Sequence, residues 1–211
     1  MKLLAIEFST ERRSVSVADD GRILATKFVE DRRAGTIGLI ESVLDEAAMV
    51  REDVEGLVIG LGPGSYTGIR SAIAIAQGWQ LGRDIRLCSV SSVDVLAGSA
   101  DLPGEIVVAV DAQRGEFYCA TYERLGATVS PTSDLRIVTR DDLLGLAGAD
   151  RPIVGPGAGE LGPMGIEAYP DAAVLVKQAT LPEVSVDGAE LAPIYLRPVE
   201  FRKAPPARII D

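Results

Sequence analysis

Residues 5–21 read AIEFSTERRSVSVADDG and residues 109–126 read AVDAQRGEFYCATYERLG, so two distant segments share one pattern. In each, an apolar run ends in a carboxylate, Glu7 or Asp111, and a polar turn with arginine leads into a second run and a glycine turn. Alternating runs joined by short turns are typical of β-hairpins. The repeat predicts duplicated domains rather than a solenoid, whose periods are about 20–50 residues. Chance similarity between two hairpins is the alternative interpretation.

The first half also carries helical patterns. Apolar residues at helical spacing predict a helix over 36–50, and a run of small and apolar residues predicts another at Thr67–Leu81. Short apolar runs at 55–61 and 85–90 predict buried strands. Strands that alternate with helices indicate an α/β fold with parallel pairing.

Two halves that each open with a hairpin and a strand-end carboxylate predict the actin-like ATPase (ASKHA, RNase H-like) duplicated fold. We expect an N-terminal subdomain at residues 1–100 and a C-terminal subdomain with a tail at 101–211. In this fold the hairpin turns face a cleft, where backbone N–H groups of tight turns can bind anions.

Composition narrows the possible functions. The net charge is −10 and the sequence contains no histidine. An acidic chain is a poor candidate for binding RNA alone, because phosphate contacts dominate that affinity. Histidine is the commonest general base and metal ligand, so Ser-His, Cys-His and His-based zinc chemistry are excluded. A basic stretch near the C-terminus is interpreted as a solvated end; its residues are Arg197, Arg202, Lys203 and Arg208.

The compartment is predicted from apolar runs and cysteines. No apolar run reaches the about 18 residues of a membrane helix, and the N-terminus does not resemble a signal peptide, so we expect a cytoplasmic protein with no membrane partner. Cys88 and Cys119 lie in strand-like runs and are predicted to be buried, reduced thiols.

A glycine-rich segment, GLGPGSYTGIR at residues 60–70, lies between a predicted strand and a predicted helix. It could bind an anion at the helix N-terminus through five candidate residues, which are Gly62, Gly64, Ser65, Thr67 and Gly68. It is not a P-loop, because no Gly-Lys-Ser/Thr follows. The alternative is a tight turn capped by Ser65 or Thr67.

Two further candidate sites have ordinary alternatives. Glu7 and Asp111 are candidate cleft carboxylates, although strand-end acids are commonly solvated or capping groups. The segment 157–162 matches G-x-G-x-x-G, but its preceding strand is short and Pro163 follows at once, so we interpret it as a loop.

The helix at Thr67–Leu81 is apolar on nearly every side, as in helices buried in a core or against another chain. We predict that it docks a partner together with the 36–50 helix. The residues assigned to that interface are Ile69, Ala72, Ile73, Ala76, Ile40 and Val43. Burial in the chain's own core is the alternative.

Five stretches resemble the bacterial TsaB (YeaZ) family. They are LAIEFST at 4–10, GPGSYTGIR at 62–70, SVSSVDVLA at 89–97, DAQRGEFYCATY at 111–122 and APIYLRP at 192–198. Together they span most of the chain in order. Glu7 and Phe8 replace the family's usual Asp-Thr, and DRRAGTIGLI at 31–40 lacks its usual histidine-serine pair.

The resemblance implies a non-catalytic subunit in the threonylcarbamoyl modification of the adenosine 3′ of the tRNA anticodon. It implies a heterodimer with the paralogous transferase TsaD, the ATPase TsaE as a further partner, tRNA bound through the complex, and possible self-dimerisation when free. No cofactor of its own is expected, because ATP and a divalent metal would belong to the partner subunits. The rival hypothesis is an ATP-dependent kinase or hydrolase of the same fold that uses Asp111 or Glu7 with magnesium.

Overall fold

The computed structural model describes residues 1–30, 35–179 and 185–197. Its first sheet has the strand order β3-β2-β1-β4-β5. The strands are β1 Lys2–Glu7, β2 Arg13–Asp19, β3 Arg22–Val29, β4 Gly56–Gly60 and β5 Arg86–Val90. The hairpin strands β1, β2 and β3 pair antiparallel, whereas β4 and β5 add in parallel. The predicted hairpin turn at Asp19–Gly21 is confirmed, with Asp20 and Gly21 both at positive φ.

The second sheet repeats this plan with the order β11-β10-β6-β7-β8, and β9 also pairs with β7. Its strands are β6 Gly104–Asp111, β7 Glu116–Leu125, β8 Thr128–Pro131, β9 Arg136–Thr139, β10 Ile153–Gly155 and β11 Gly165–Glu167. The hairpin β6–β7 is antiparallel, and β10 and β11 follow β6 in parallel, as β4 and β5 follow β1. The duplication and the actin-like fold class are therefore confirmed.

In the described part of the chain, five α-helices connect and cover the sheets. They are α1 Thr36–Glu46, α2 Tyr66–Gly82, α3 Ser92–Ser99, α4 Arg140–Ala147 and α5 Ala172–Gln178. The predicted helix over 36–50 was too long at its C-terminus, because Ala48 has positive φ and interrupts the helical backbone. Within the described residues, none of the helices is long and apolar enough to cross a bilayer.

The helices α1 and α2 cover one face of the first sheet, where Val43, Ile69 and Ala72 pack against Leu4 and Ile59. The opposite face is covered by α5, which arrives from the C-terminal half of the chain. The helix α3 contributes apolar residues to the cores of both sheets. The division at residue 100 stays a prediction, but α5 packs with the N-terminal sheet.

The chain then runs along α2 in a segment that we call the C-terminal strap, residues 185–197. The Val186 amide donates to the carbonyl oxygen of Leu87 at 2.9 Å. The side-chain amides of two α2 glutamines bind the backbone of Gly188. Gln77 Nε2 donates to the Gly188 carbonyl oxygen at 2.8 Å, and the Gly188 N–H donates to Gln80 Oε1 at 2.7 Å. The strap is therefore fastened to α2 by both backbone groups of one residue.

The far end of the C-terminal strap reaches the second half. The Ile194 amide donates to the Leu61 carbonyl oxygen at 2.9 Å. Arg197 forms an ion pair with Glu116, at the start of β7. Since Leu61 and Glu116 belong to different halves, the strap bridges them. Of the predicted basic stretch, Arg202, Lys203 and Arg208 lie outside the described residues.

Candidate functional site

The glycine-rich segment 60–70, which we call the glycine loop, packs directly on the turn between β1 and β2. A Cβ on Gly64 would lie 2.1 Å from the carbonyl oxygen of Ser9, and one on Gly68 would lie 1.9 Å from that of Phe8. Real Cβ atoms do not approach so closely, so both positions require glycine for the chain's own packing. The Ser65 amide also donates to the Ser9 oxygen at 2.6 Å. Backbone-to-backbone contact thus accounts for two of the glycines.

The loop also caps α2 internally. Ser65 is the N-cap, and its hydroxyl accepts the Gly68 N–H at 3.3 Å, so the predicted Ser65 cap is confirmed. Thr67 is exposed. A ligand contact by Gly62, Gly64, Ser65, Thr67 and Gly68 stays a prediction.

Glu7 does not face the cleft, and its prediction as a cleft carboxylate was wrong. Its side chain is fully buried, and its two oxygens accept from the Ser9 N–H at 2.8 Å and the Ser92 hydroxyl at 2.9 Å. The space that it fills lies over Gly60, where a Cβ would lie 1.9 Å from a Glu7 oxygen. The Ser92 hydroxyl in turn accepts the Gly62 N–H at 3.0 Å. Glu7 therefore fastens the base of the glycine loop to α3.

Asp111 does line the cleft, as predicted for it. It is exposed, and its two oxygens accept from the Gln113 N–H at 2.7 Å and from Gln113 Nε2 at 3.0 Å. Gln113, Arg114 and Gly115 all have positive φ, so the turn is sharply wound. Such left-handed conformations in non-glycine residues are uncommon and cluster at functional sites.

The cleft itself lies between the two hairpin turns and has a volume of about 450 Å³. Both halves line it: Ser9, Thr10, Glu11, Gly64, Ser65 and Tyr66 from the first, and Val110, Asp111, Ala112, Gln113, Tyr118 and Pro156 from the second. Tyr66 and Tyr118 give it aromatic walls, and the sequence interpretation missed both. Each tyrosine lies two or three residues after a glycine of a turn, Gly64 or Gly115. Since the sequence predicts that these turns face the cleft, this proximity could have indicated both tyrosines.

The segment 157–162 is a loop, as predicted. Only the three-residue strand β10 precedes it, and a 3₁₀ turn at Ala158–Leu161 follows Gly157 in place of a longer helix. The Gly157 N–H donates to the Glu167 carboxylate at 3.0 Å. This contact lies within the loop and β11, so the glycines have a local structural role.

The six residues predicted to dock a partner are buried in this chain's own core, and that prediction was wrong for these side chains. Ile69, Ala72, Ile73, Ala76, Ile40 and Val43 are all at most 6% exposed. They lie on the faces of α1 and α2 that pack against the first sheet. The docking role of the helix pair itself is a separate question.

The outward side of α1 and α2 carries mostly different residues, although Ile40 of the predicted six also lines it. We call it the outer groove: a depression of about 530 Å³ whose lining includes Ile37, Ala74, Ile75, Gly78 and Trp79. Ile37 is 50% exposed, and Leu81 beyond the groove is 91% exposed. Helical periodicity could have found this face, since Ala74 and Gly78 lie four residues apart and opposite the inward set.

No group of three or more potential metal-ligating His, Cys, Asp or Glu side chains occurs among the described residues. Cys88 and Cys119 are buried and free, as predicted. Burial raises the pKa of the Cys119 thiol to about 11. A thiol in this state is a poor nucleophile.

Two repeated halves, each with a hairpin turn facing a shared cleft, define a protein of the actin-like ATPase fold. The family described as TsaD: tRNA N6-adenosine threonylcarbamoyltransferase matches residues 32–173. The structure of YeaZ from Pseudomonas aeruginosa is similar, with a TM-score of 0.78 and 26% identity over 92% of this chain and 99% of that one.

Among curated proteins, the tRNA threonylcarbamoyladenosine biosynthesis protein TsaB of Escherichia coli (strain K12) is 33% identical over 129 residues, 59% of this chain and 56% of that protein. The protein of the same name in Bacillus subtilis (strain 168) is 28% identical over 159 residues, 73% of this chain and 69% of its own. The chain therefore belongs to the TsaB (YeaZ) family. Its match spans little more than half the length of the E. coli protein.

Proposed function

We propose that this chain is a non-catalytic partner subunit in the synthesis of threonylcarbamoyladenosine in tRNA, and that it docks the paralogous transferase TsaD through the outer groove. Family membership supports the pathway, since the curated relatives are named for it. The observation that carries the docking role is the outer groove, whose lining is mainly apolar, includes Gly78 and Gly82, and also carries Arg51, Glu52 and Arg83.

Three exposed glycines of α1 and α2 make no contact within the chain that requires glycine. A Cβ on Gly38, Gly78 or Gly82 would meet nothing within 4 Å. Glycine inside a helix costs about 0.5–1 kcal/mol relative to alanine. A second helix lying close against the backbone would account for that cost, because small residues allow close approach. The exposed Ile37 and the half-buried Ile75 would supply apolar contact area to the same partner.

The arrangement of the cleft carboxylates supports a role without chemistry of its own. Asp111 faces the cleft, but its counterpart Glu7 is turned into the core and held by Ser9 and Ser92. The two equivalent strand-end carboxylates therefore do not meet in the cleft, and the carboxylate that the first hairpin turn places there is Glu11. In this proposal ATP and the divalent metal belong to the partner subunits, TsaE joins as the ATPase, and tRNA binds through the complex. The free chain would cover the outer groove by pairing with a second copy.

Charge placed in the outer groove tests the proposal. We expect Ala74→Glu and Gly78→Glu to fold normally by circular dichroism, because both positions are exposed and open. An unpaired charge buried at an interface costs several kcal/mol, which corresponds to a loss of about a hundredfold or more in affinity. Sedimentation of each variant with TsaD should therefore show no heterodimer.

Gly145→Glu is the matched control, because Gly145 is also an exposed helical glycine with no atom within 4 Å of its added Cβ, but lies on α4. It should bind TsaD like the unmodified chain. If both groove variants fold and bind as this control does, the docking face lies elsewhere. The originally expected positions are unsuitable, since a glutamate at Ala72 or Ala76 would enter the core.

A second candidate function is an ATP-dependent kinase or hydrolase, favoured by the exposed Asp111 carboxylate in the cleft between the halves. In that case Asp111 would hold a magnesium ion. Turnover by the purified chain discriminates between the two functions.

A further inference from the structure

The charged side chains that line the cleft are all acidic. Glu11 comes from the first hairpin turn and Asp111 from the second, and no lysine or arginine of the described chain lines the cavity. Tyr66 and Tyr118 supply aromatic surface beside the carboxylates. Two N–H groups near the α2 N-terminus are engaged, since Ser65 N–H donates to Ser9 and Gly68 N–H to the Ser65 hydroxyl. A negatively charged ligand would meet the two carboxylates of the cleft wall.

One tyrosine of the cleft wall, Tyr66, already contacts a guanidinium group of the chain itself. Arg70 lies over the ring of Tyr66, with its guanidinium carbon 5.2 Å from the ring centroid. Arg197 pairs with Glu116. Tyr195 stacks on Tyr66 with ring centroids 5.9 Å apart. Tyrosine faces and carboxylates are the groups that bind arginine, through cation–π contact and charged hydrogen bonds.

We propose that the cleft receives an arginine side chain from a separate polypeptide, with its guanidinium paired to Asp111 and its plane against Tyr66 or Tyr118. Gln113 fixes the Asp111 carboxylate by donating to both oxygens, and each carboxylate oxygen keeps a second lone pair for an incoming N–H. Arginine fits better than lysine, because its planar fork can pair with a carboxylate and stack on a ring at once.

The size and access of the cavity indicate a side chain carried on a polypeptide. About 450 Å³ is much more than one guanidinium needs, and Tyr66 at the mouth is 60% exposed. The aliphatic part of the arginine side chain and the adjacent residues of its polypeptide would contact that exposed ring. This site is separate from the outer groove, so the inference does not depend on the proposed TsaD docking face.

The test is a titration of the full, isotope-labelled chain with N-acetyl-arginine methylamide, followed by NMR. The probe should shift the amide signals of Ala112 and Gln113 and bind at least about tenfold more tightly than the uncharged citrulline analogue, as expected for loss of a charged hydrogen bond. Asp111→Asn should reduce the affinity for the arginine probe to that of citrulline. Asp134→Asn removes the same charge from an exposed loop and should change nothing.

Tyr66→Leu is a second test that leaves Asp111 unchanged. It should reduce the affinity for the arginine probe about threefold, because the cation–π contact is lost. Equal binding of the arginine and citrulline probes would overturn the proposal, as would equal losses in Asp111→Asn and Asp134→Asn. Magnesium–ATP shifting the same amides at lower concentration would also overturn it, in favour of a nucleotide site. A chain truncated after Arg197 is a further comparison. If it binds the probe much more tightly than the full chain, the cleft is occupied by the chain's own Arg202 or Arg208, and the proposal of a separate polypeptide is overturned. Gly78→Glu should leave probe binding intact, which separates this result from the docking test.

Discussion

The Ser92 hydroxyl donates a hydrogen bond to Oε2 of Glu7 at 2.9 Å, although 85 positions separate the two residues. The bond joins the end of β1 to the first turn of α3 inside the core. Burial raises the pKa of the Glu7 carboxyl, and the hydrogen bonds from Ser9 and Ser92 act in the opposite direction. Folding therefore favours the protonated form of this carboxyl relative to the unfolded chain.

Glu7→Gln should change how stability depends on pH. An unfolded glutamate ionises near 4.5, and folded Glu7 ionises at higher pH. The contribution of Glu7 is thus fully present below about pH 4.5 and is lost as pH rises toward the folded pKa. Since glutamine does not ionise, the stability of Glu7→Gln relative to the unmodified chain should improve as pH rises from 4.5 to 8 in urea unfolding followed by circular dichroism. The exposed control Glu190→Gln should not show this trend, and a constant difference for Glu7→Gln would contradict the prediction.

Two alanine substitutions within α2 should have opposite effects on the free energy of unfolding. Gly68→Ala places a Cβ 1.9 Å from the Phe8 carbonyl oxygen, so it should destabilise the fold by on the order of 2–3 kcal/mol. Gly78→Ala meets nothing within 4 Å and should stabilise the isolated chain by about 0.5–1 kcal/mol. Urea unfolding measures both. Equal effects would show that the hairpin contact does not require Gly68.

The purified chain alone should neither hydrolyse ATP nor cleave proteins above background. The sequence has no histidine, no lysine follows the glycine loop, and Glu7 faces the core. Release of phosphate from ATP, with and without TsaD, measures this. Robust magnesium-dependent turnover that Asp111→Ala abolishes would establish the enzyme hypothesis instead.

Binding of the isolated chain to tRNA should be weak and depend strongly on salt. The net charge of −10 opposes phosphate contacts, so any affinity should come from the arginines near the C-terminus. Filter binding of the full chain and of a chain lacking residues 202–211 tests this. Sub-micromolar binding at physiological salt that survives the deletion would refute it.

The repeat in the sequence was enough to predict the fold, because the alternating hairpin runs and the strand-end carboxylates recur in both halves. The direction of Glu7 could not be predicted, since it depends on space over Gly60, which is distant in sequence. The equivalent Asp111 is exposed and lines the cleft. Glu7 and Asp111, which occupy equivalent positions in the repeat, therefore differ in exposure because Glu7 packs against residues distant in sequence.

The docking residues were assigned to the wrong side of two correctly placed helices. The sequence predicts Ile69 and Ala72 as partner contacts, but in the structure they pack on apolar residues of the first sheet. Ala74 and Gly78 are exposed because they lie on the opposite side of α2. The composition of the region around 170–190 does not predict its structure, and its helix α5 packs on a sheet formed by the other end of the chain.

The C-terminal path of the chain has a consequence for folding during protein synthesis. One face of the first sheet is covered by α5, and Leu191 completes the core on the other. The N-terminal half therefore emerges from the ribosome with apolar surface that stays open until about 190 residues have been made. Contacts of such long sequence separation slow folding, so a nascent chain of this protein should rely on chaperones until its last segment closes over the first.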